Sequence, residues 1–314
     1  MAISIARADQ HIATLGPRLD RFASRTGWGR SLYHACQIEV AAEILRGGEI
    51  ICRNGVPALL CDVANQGALN NNPAAHNYVR LYFRPKNRFH LKTEGIKARS
   101  DPNRADPHMC IPVMLVFDLK SVLTLASSRF VAGNFANSNQ IPRDGDNQFD
   151  QLKFEHIYHD SAVSQDEMQH IHNMRMSEVV VPQRLSLATL NYVVCRTIHE
   201  ERYLKRLLGP GAWNYNFAVE KGGSVFFRRG MFISELYTEN GELHFEFRSP
   251  VSASKPQYEV KVTCGDQHFR YEIAPSRWRI PAIVNPNPNA IWKIEIEGCT
   301  AYEGVVPAAG PVVA

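Results

Sequence analysis

Hydrophobic and polar positions change period several times along the first two thirds of the chain. Over residues 6 to 26 they recur at helical spacing, with basic residues gathering at the end. SLYHAC then reads as a short strand. QIEVAAEILRGG follows as a helix, with Ile38, Ala41, Ala42 and Leu45 on one face and Gly47-Gly48 as its stop. Residues 53 to 77 are rich in Asn, Ala and Gly without a clear period, which predicts a long loop with one short helix. NYVRLYF has the aromatic and β-branched content of a strand. A polar, basic loop runs from PKNRFHLK to DPHM. CIPVMLVFDL is the most apolar segment here, and its unbroken run predicts a strand buried on both faces. After the loop GNFANSNQIPRDGDNQFD, the segments SEVVVP and LNYVVC read as short strands. ERYLKRLL reads as a helix ended by Gly209-Pro210.

Beyond residue 210 the period becomes two. GELHFEFRS puts Leu243, Phe245 and Phe247 on one face. YEVKVTC does the same with Tyr258, Val260, Val262 and Cys264, and HFRYEI and IWKIEIEG repeat the pattern. Turn signals such as ENG and NPNPN separate these runs. The change predicts two domains, 1–210 and 211–314, the second an antiparallel β-sandwich spanning about 215 to 305 with AAGPVVA as a frayed tail.

Composition narrows the classes. The chain has 314 residues, 45% hydrophobic and 21% charged, as in an ordinary soluble protein. No run approaches the roughly 18 apolar residues of a membrane span, and the N-terminus has no secretion pattern. Both point to a cytoplasmic protein that does not engage a membrane. Seven cysteines stand without a C-x-x-C pair, so free thiols are expected and a zinc site is not. The net charge is only +4, yet Arg80 to Arg104 holds eight Lys or Arg against Glu94 and Asp101. Such a cluster suits phosphates or a solvated loop.

Standard chemical signatures are absent. There is no phosphate loop, no strand-linked G-x-G-x-x-G and no G-x-S-x-G elbow. His170 and His172 in HIHNM lack metal-ligand spacing, so no metal is expected. Polar residues on strands remain: His34 ending LYH, Tyr82 in RLYF, and Glu178 in front of Val179, Val180 and Val181. Singly, each has a structural account as a satisfied histidine, a sheet tyrosine and a strand-edge charge. A carboxylate beside a buried strand is expensive unless paired or used.

Together, LYHACQIEVAAEILRGG, NYVRLYFRPKN, MRMSEVVVP and LNYVVCRTIHEERYLKRLL resemble, in order and spacing, the DarT family of DNA-base ADP-ribosyltransferase toxins. The likeness covers roughly residues 31 to 208 and leaves the β-domain outside. It implies an α+β chain: an ADP-ribosyltransferase-like split β-sheet core with helices, followed by the β-sandwich. It implies NAD as co-substrate, with no metal. Glu178 would be catalytic, accepting a hydrogen bond from the nicotinamide ribose. His34 and Tyr82 would bind NAD, the tyrosine stacking on nicotinamide, with Cys36, Gly48, Phe89 and Arg175 also at the cofactor. Breaking the glycosidic bond leaves an oxocarbenium-like ribose, which a fixed carboxylate in a dry site stabilises.

Arg84, Lys86, Arg88 and Lys92 would hold DNA phosphates, with Phe89 offering a stacking surface. Asn134 and Phe149, in the loop before Glu178, would present the substrate. Single strands are expected over duplex, because the target base must be unstacked. The sequence departs from the family at Cys36, where Thr or Ser is usual, and at Val40, where Asn is usual. Residues 54 to 79 also lack any Arg or Lys, where thymine-modifying members carry an Arg that helps deprotonate the base. Guanine, whose exocyclic amine needs no full deprotonation, is therefore expected over thymine. The resemblance further implies the toxin of a toxin–antitoxin or phage-defence system, with a cognate antitoxin such as an ADP-ribose-removing macrodomain-type hydrolase. An RNA or protein acceptor, and a non-catalytic nucleic-acid-binding protein of the same fold, are the alternatives.

Overall fold

The structure is a computed structural model that describes residues 2–61, 70–137, 140–248, 256–280 and 289–308. Its centre is a seven-stranded mixed sheet. The strands are β1 (Ser31–Gln37), β3 (Tyr78–Tyr82), β4 (Pro112–Asp118), β5 (Arg129–Val131), β6 (Glu178–Pro182), β8 (Leu190–Cys195) and β9 (Phe217–Val219), in the order β5-β6-β3-β1-β4-β8-β9. β2 (Glu49–Ile51) pairs with β7 (Arg184–Ser186) beside it. As its unbroken apolar run demands, β4 is buried throughout except at Asp118. The helix Ile38–Gly47 buries the face expected of it, Ile38, Ala41, Ala42 and Leu45. Thr197 caps the helix Ile198–Leu208 by accepting from the Glu200 amide, and this helix ends at Gly209 as expected.

Several elements differ from the periodicity. The first helix runs Ile5–Asp20, with the short turn Ala23–Arg25 after it. The basic loop contains the helix Arg88–Thr93, capped by Asn87, whose side chain accepts from the His90 amide. Six residues are too few for a period to register. HIHNM likewise lies in the helix Met168–Met174. The loop over 53 to 77 holds 3-10 turns at Arg53–Gly55 and Pro73–Asn77, and its centre lies outside the described residues. Strand β9 pairs in parallel with β8, so the large sheet takes its last strand from beyond residue 210.

The alternating segments form two antiparallel sheets. One is β10 (Phe232–Glu239), β11 (Glu242–Arg248) and β14 (Arg277–Ile280). The other is β13 (Gln267–Ile273), β12 (Tyr258–Cys264), β15 (Ile291–Ile296) and β16 (Cys299–Val305). Leu243, Phe245, Val260, Val262 and Ile294 share one core with the large sheet. ENG makes the β10–β11 turn, with positive φ at Asn240 and Gly241. Most of NPNPN and of AAGPVVA lies outside the described residues.

The two parts meet along a charged seam. The Glu94 carboxylate accepts from the amides of Phe227 and Arg229, at 2.8 and 2.9 Å. Glu297 accepts from Arg99 and Arg104, and Glu259 from Arg99 and Arg270. Two of the eight cations of the basic cluster, Arg99 and Arg104, are thus paired with carboxylates of the C-terminal strands. Arg196, buried against Glu200, lies 4.7 Å from the ring centre of Phe232. Cys110 and Cys299 are joined as a disulfide across this seam, which corrects the expectation of free thiols throughout. Their sulfurs and His108 form the one group of three metal-type donors found among the described residues, and none of the three lines the cavity described next.

Candidate active site

Strands β6, β3 and β1 lie side by side at the centre of the large sheet and carry the three residues singled out by sequence. In the β3–β6 register Tyr82 stands opposite Glu178, and Arg80 opposite Val180. Arg80 and Tyr82 are two residues apart, so they share a face. From there Arg80 reaches Glu178 along the diagonal of the antiparallel pair. Its Nε donates to Oε2 at 2.8 Å and its Nη2 to Oε1 at 2.6 Å, a bidentate pair. Glu178 has no exposure, while the Arg80 side chain keeps 26%. Arg80 is therefore the lid over the carboxylate. Burial works against its charge, but the Glu178 carboxylate outweighs that and raises its pKa.

The pair is tied to its neighbours. Arg80 Nη2 also donates to Asn134 Oδ1 at 3.1 Å. Asn134 follows Gly133, whose φ of +107° and closeness to the Asn173 side chain leave no room for a Cβ. His34 Nδ1 lies 3.1 Å from the Arg80 carbonyl, which can only accept, so Nδ1 carries the proton and donates. Burial chiefly lowers the His34 pKa, and the Arg80 charge adds to this, so the ring is neutral with Nε2 left as an acceptor. Burial also raises the Tyr82 hydroxyl pKa, keeping it protonated. The Tyr82 and Phe89 rings stack, with centroids 6.3 Å apart and planes 25° off parallel.

His34, Arg80, Tyr82 and Asn134 border a cavity of about 750 Å3, while Glu178 lies behind Arg80 and is not in its lining. His34, Cys36, Tyr82, Arg88, Phe89, Lys92 and Asn134, all expected at the site, line it. Burial pushes the Cys36 thiol up to about 12, so it lines the wall as a neutral group. Arg53, Arg80, His172 and Asn173 also line it and were missed. Arg80 had been counted only as one cation of the basic cluster. Its position two residues before Tyr82 was the available signal, but the partner strand is not legible without the pairing. Arg53 lies one residue before the stretch 54 to 79, which holds no Arg or Lys.

Other expected residues sit elsewhere, and each has a physical reason. Arg84 is 1% exposed; it donates to Asp160 at 2.7 Å and to the His159 carbonyl, and lies over Trp28. Lys86 Nζ donates to the Gly223 carbonyl at 2.9 Å. Phe149 has no exposure and packs among Phe130, Phe154 and His11. Gly48 is the left-handed C-cap of the helix Ile38–Gly47, a backbone role. Arg175 donates to His159 Nδ1 at 2.8 Å and to the Ser161 carbonyl at 2.9 Å, outside the cavity lining.

Comparison with solved structures gives Thermus sp. 2.9 DarT in complex with ADP-ribosylated ssDNA, at TM-score 0.51 and 15% identity, covering 63% of this chain and 96% of that one. The same protein with NAD+ matches at TM-score 0.48 and 15% identity, over 63% and 98%. Thermosipho africanus DarTG with ADP-ribose matches at 0.47 and 13%, over 67% and 53%. No curated protein matches. The model of the family described as "ssDNA thymidine ADP-ribosyltransferase, DarT" matches residues 33–227, which is more than half of the chain. The chain belongs to the DarT family.

Proposed function

We propose that this chain transfers ADP-ribose from NAD to a base in single-stranded DNA. The observation that carries the reading is Arg80, in the wall of one cavity with Tyr82 and His34, paired to Glu178 directly behind it. A volume of about 750 Å3 lies within the usual range for small-molecule sites. Tyr82 and Phe89 offer an aromatic wall to the planar nicotinamide. His34 Nε2 offers an acceptor to a ribose hydroxyl. Arg80 turns from Glu178 when a ribose enters, and the carboxylate then faces the positive charge that develops as the glycosidic bond breaks. Arg88 and Lys92 border the cavity mouth and are suited to strand phosphates. The solved DarT complex with ADP-ribosylated ssDNA supports this acceptor class.

Guanine is the first reading for the base, because an exocyclic amine needs no full deprotonation and residues 54 to 79 hold no cation to assist it. Thymine is the second, favoured by one observation: Arg53 lines the cavity just ahead of that stretch. Labelled NAD with oligonucleotides each containing a single kind of base, followed by mass spectrometry of the nucleosides, decides between them. Label transfer undiminished in Glu178→Ala would remove the carboxylate from its role. In the cell, the family resemblance supports a cytoplasmic toxin held in check by an antitoxin that removes ADP-ribose.

A further inference from the structure

A second concavity, of about 380 Å3, opens where the end of the helix Ile5–Asp20 and the turn Ala23–Arg25 face the residues after the helix Phe154–Ile157. Its floor is apolar, and Arg18, Arg21 and Arg25 stand on its rim. Arg18 and Arg21 are exposed and meet no carboxylate among the described residues. Phe22 is 52% exposed, and the Arg25 guanidinium lies 4.6 Å from its ring centre. Of the two acids in the lining, Asp160 is already held by Arg84 at 2.7 Å. Guanidinium groups with an open aromatic face over an apolar floor match a phosphate joined to a base.

A basic path leads from here to the large cavity. Arg25 and His159 both line the concavity, and Arg175 Nη2 donates to His159 Nδ1 at 2.8 Å. Arg175 is the C-cap of the helix Met168–Met174, whose His172 lines the large cavity together with Arg88. The arginine rim lies upstream of residue 33, outside the segment that the family model matches. It is a feature of this chain's N-terminal helix.

We propose that this second concavity binds a nucleotide of the same single strand whose target base occupies the large cavity, with Arg18 and Arg21 on its phosphates and Phe22 stacked on its base. The proposal rests on the DNA-modifying reading above and adds a substrate contact to it. The strand would leave the cavity past Arg88, His172 and Arg175.

The test compares wild type with Arg18→Ala/Arg21→Ala and with Phe22→Ala, all exposed positions, using a long single-stranded oligonucleotide and a short one that fills only the large cavity. Anisotropy should show the long oligonucleotide bound about tenfold more weakly by the double variant, with the salt slope reduced by roughly 1.4 for two lost phosphate contacts. The KM for the long oligonucleotide should rise by a similar factor with kcat unchanged. Binding of the short one, and of NAD, should stay as in wild type. Equal affinity and equal slope in wild type and double variant would overturn the proposal, and so would equal losses with long and short oligonucleotides. If wild type transfers no ADP-ribose to DNA, the functional reading fails, while the anisotropy comparison still decides whether this surface binds a strand.

Discussion

Arg80 and Glu178 form a two-pronged ion pair across neighbouring strands, with the arginine outermost and the glutamate sealed beneath it. The carboxylate is thereby fixed in direction by two hydrogen bonds from one guanidinium. Glu178→Gln should reduce transfer about 100-fold to 1,000-fold, the usual loss when a preorganised electrostatic group is removed. Arg80→Ala leaves a buried charge unpaired and should destabilise the fold by about 3–5 kcal/mol. The double variant, with neither charge, should recover part of that loss. Urea unfolding and labelled-NAD transfer separate the two effects, and a stable, fully active Arg80→Ala protein would refute the pairing.

In the proposed reaction Tyr82 contributes its ring. Its hydroxyl stays protonated in the buried wall, so it brings no charge to the reaction. Tyr82→Phe should therefore keep most activity, whereas Tyr82→Ala removes the stacked face that continues onto Phe89. Stacked aromatic pairs add about 0.5–1.5 kcal/mol beyond area burial, so the KM for NAD should rise between about twofold and more than tenfold. Steady-state kinetics with varied NAD will show whether KM or kcat carries the change.

Arg84 and Lys86 separate stability from DNA binding. The Arg84 guanidinium is pulled down to about 10 by burial, which the Asp160 charge partly offsets, so it remains charged at neutral pH. Arg84→Ala leaves Asp160 with Ser24 and the longer contact to Arg25, empties the space over Trp28, and should cost about 1–3 kcal/mol of stability. Lys86→Ala loses a hydrogen bond to the Gly223 carbonyl and should cost about 1 kcal/mol. Neither should alter the salt dependence of oligonucleotide binding, whereas Arg88→Ala with Lys92→Ala should reduce its slope. Anisotropy titrations at several salt concentrations distinguish the pairs.

The elements whose pattern exceeds a few residues were legible: the helix Ile38–Gly47, the apolar strand β4, and the alternating strands of the second half. His34, Tyr82 and Glu178 stand out only jointly, through their order along the chain. Arg80 was hidden because its meaning depends on which strand lies beside β3, a non-local pairing that no local period encodes. Arg84 and Phe149 were misjudged for a related reason. A cation or an aromatic in a loop looks solvent-facing until tertiary packing supplies Asp160 to one and a ring of aromatics to the other.

Acid should unfold this protein through its buried histidines. His11 and His199 titrate at about 4 and His90 at about 3 in the folded chain, with burial the leading cause in each. Their ordinary value is 6.5, so on acidification the unfolded chain takes up protons that the folded chain refuses. Stability from this source is complete above about pH 6.5 and declines as pH falls toward about 4, by roughly 1.4 kcal/mol per pH unit for each histidine. His11 sits against Phe154 and Phe149, with ring centroids 4.4 and 5.5 Å away, so phenylalanine can take its place at the expense of one bond to the Tyr158 hydroxyl. His11→Phe should therefore flatten the dependence of stability on pH in that window by about one histidine's share, and leave the slope below it unchanged. Urea midpoints measured across the window test this, and parallel curves for wild type and variant would show that His11 takes no part.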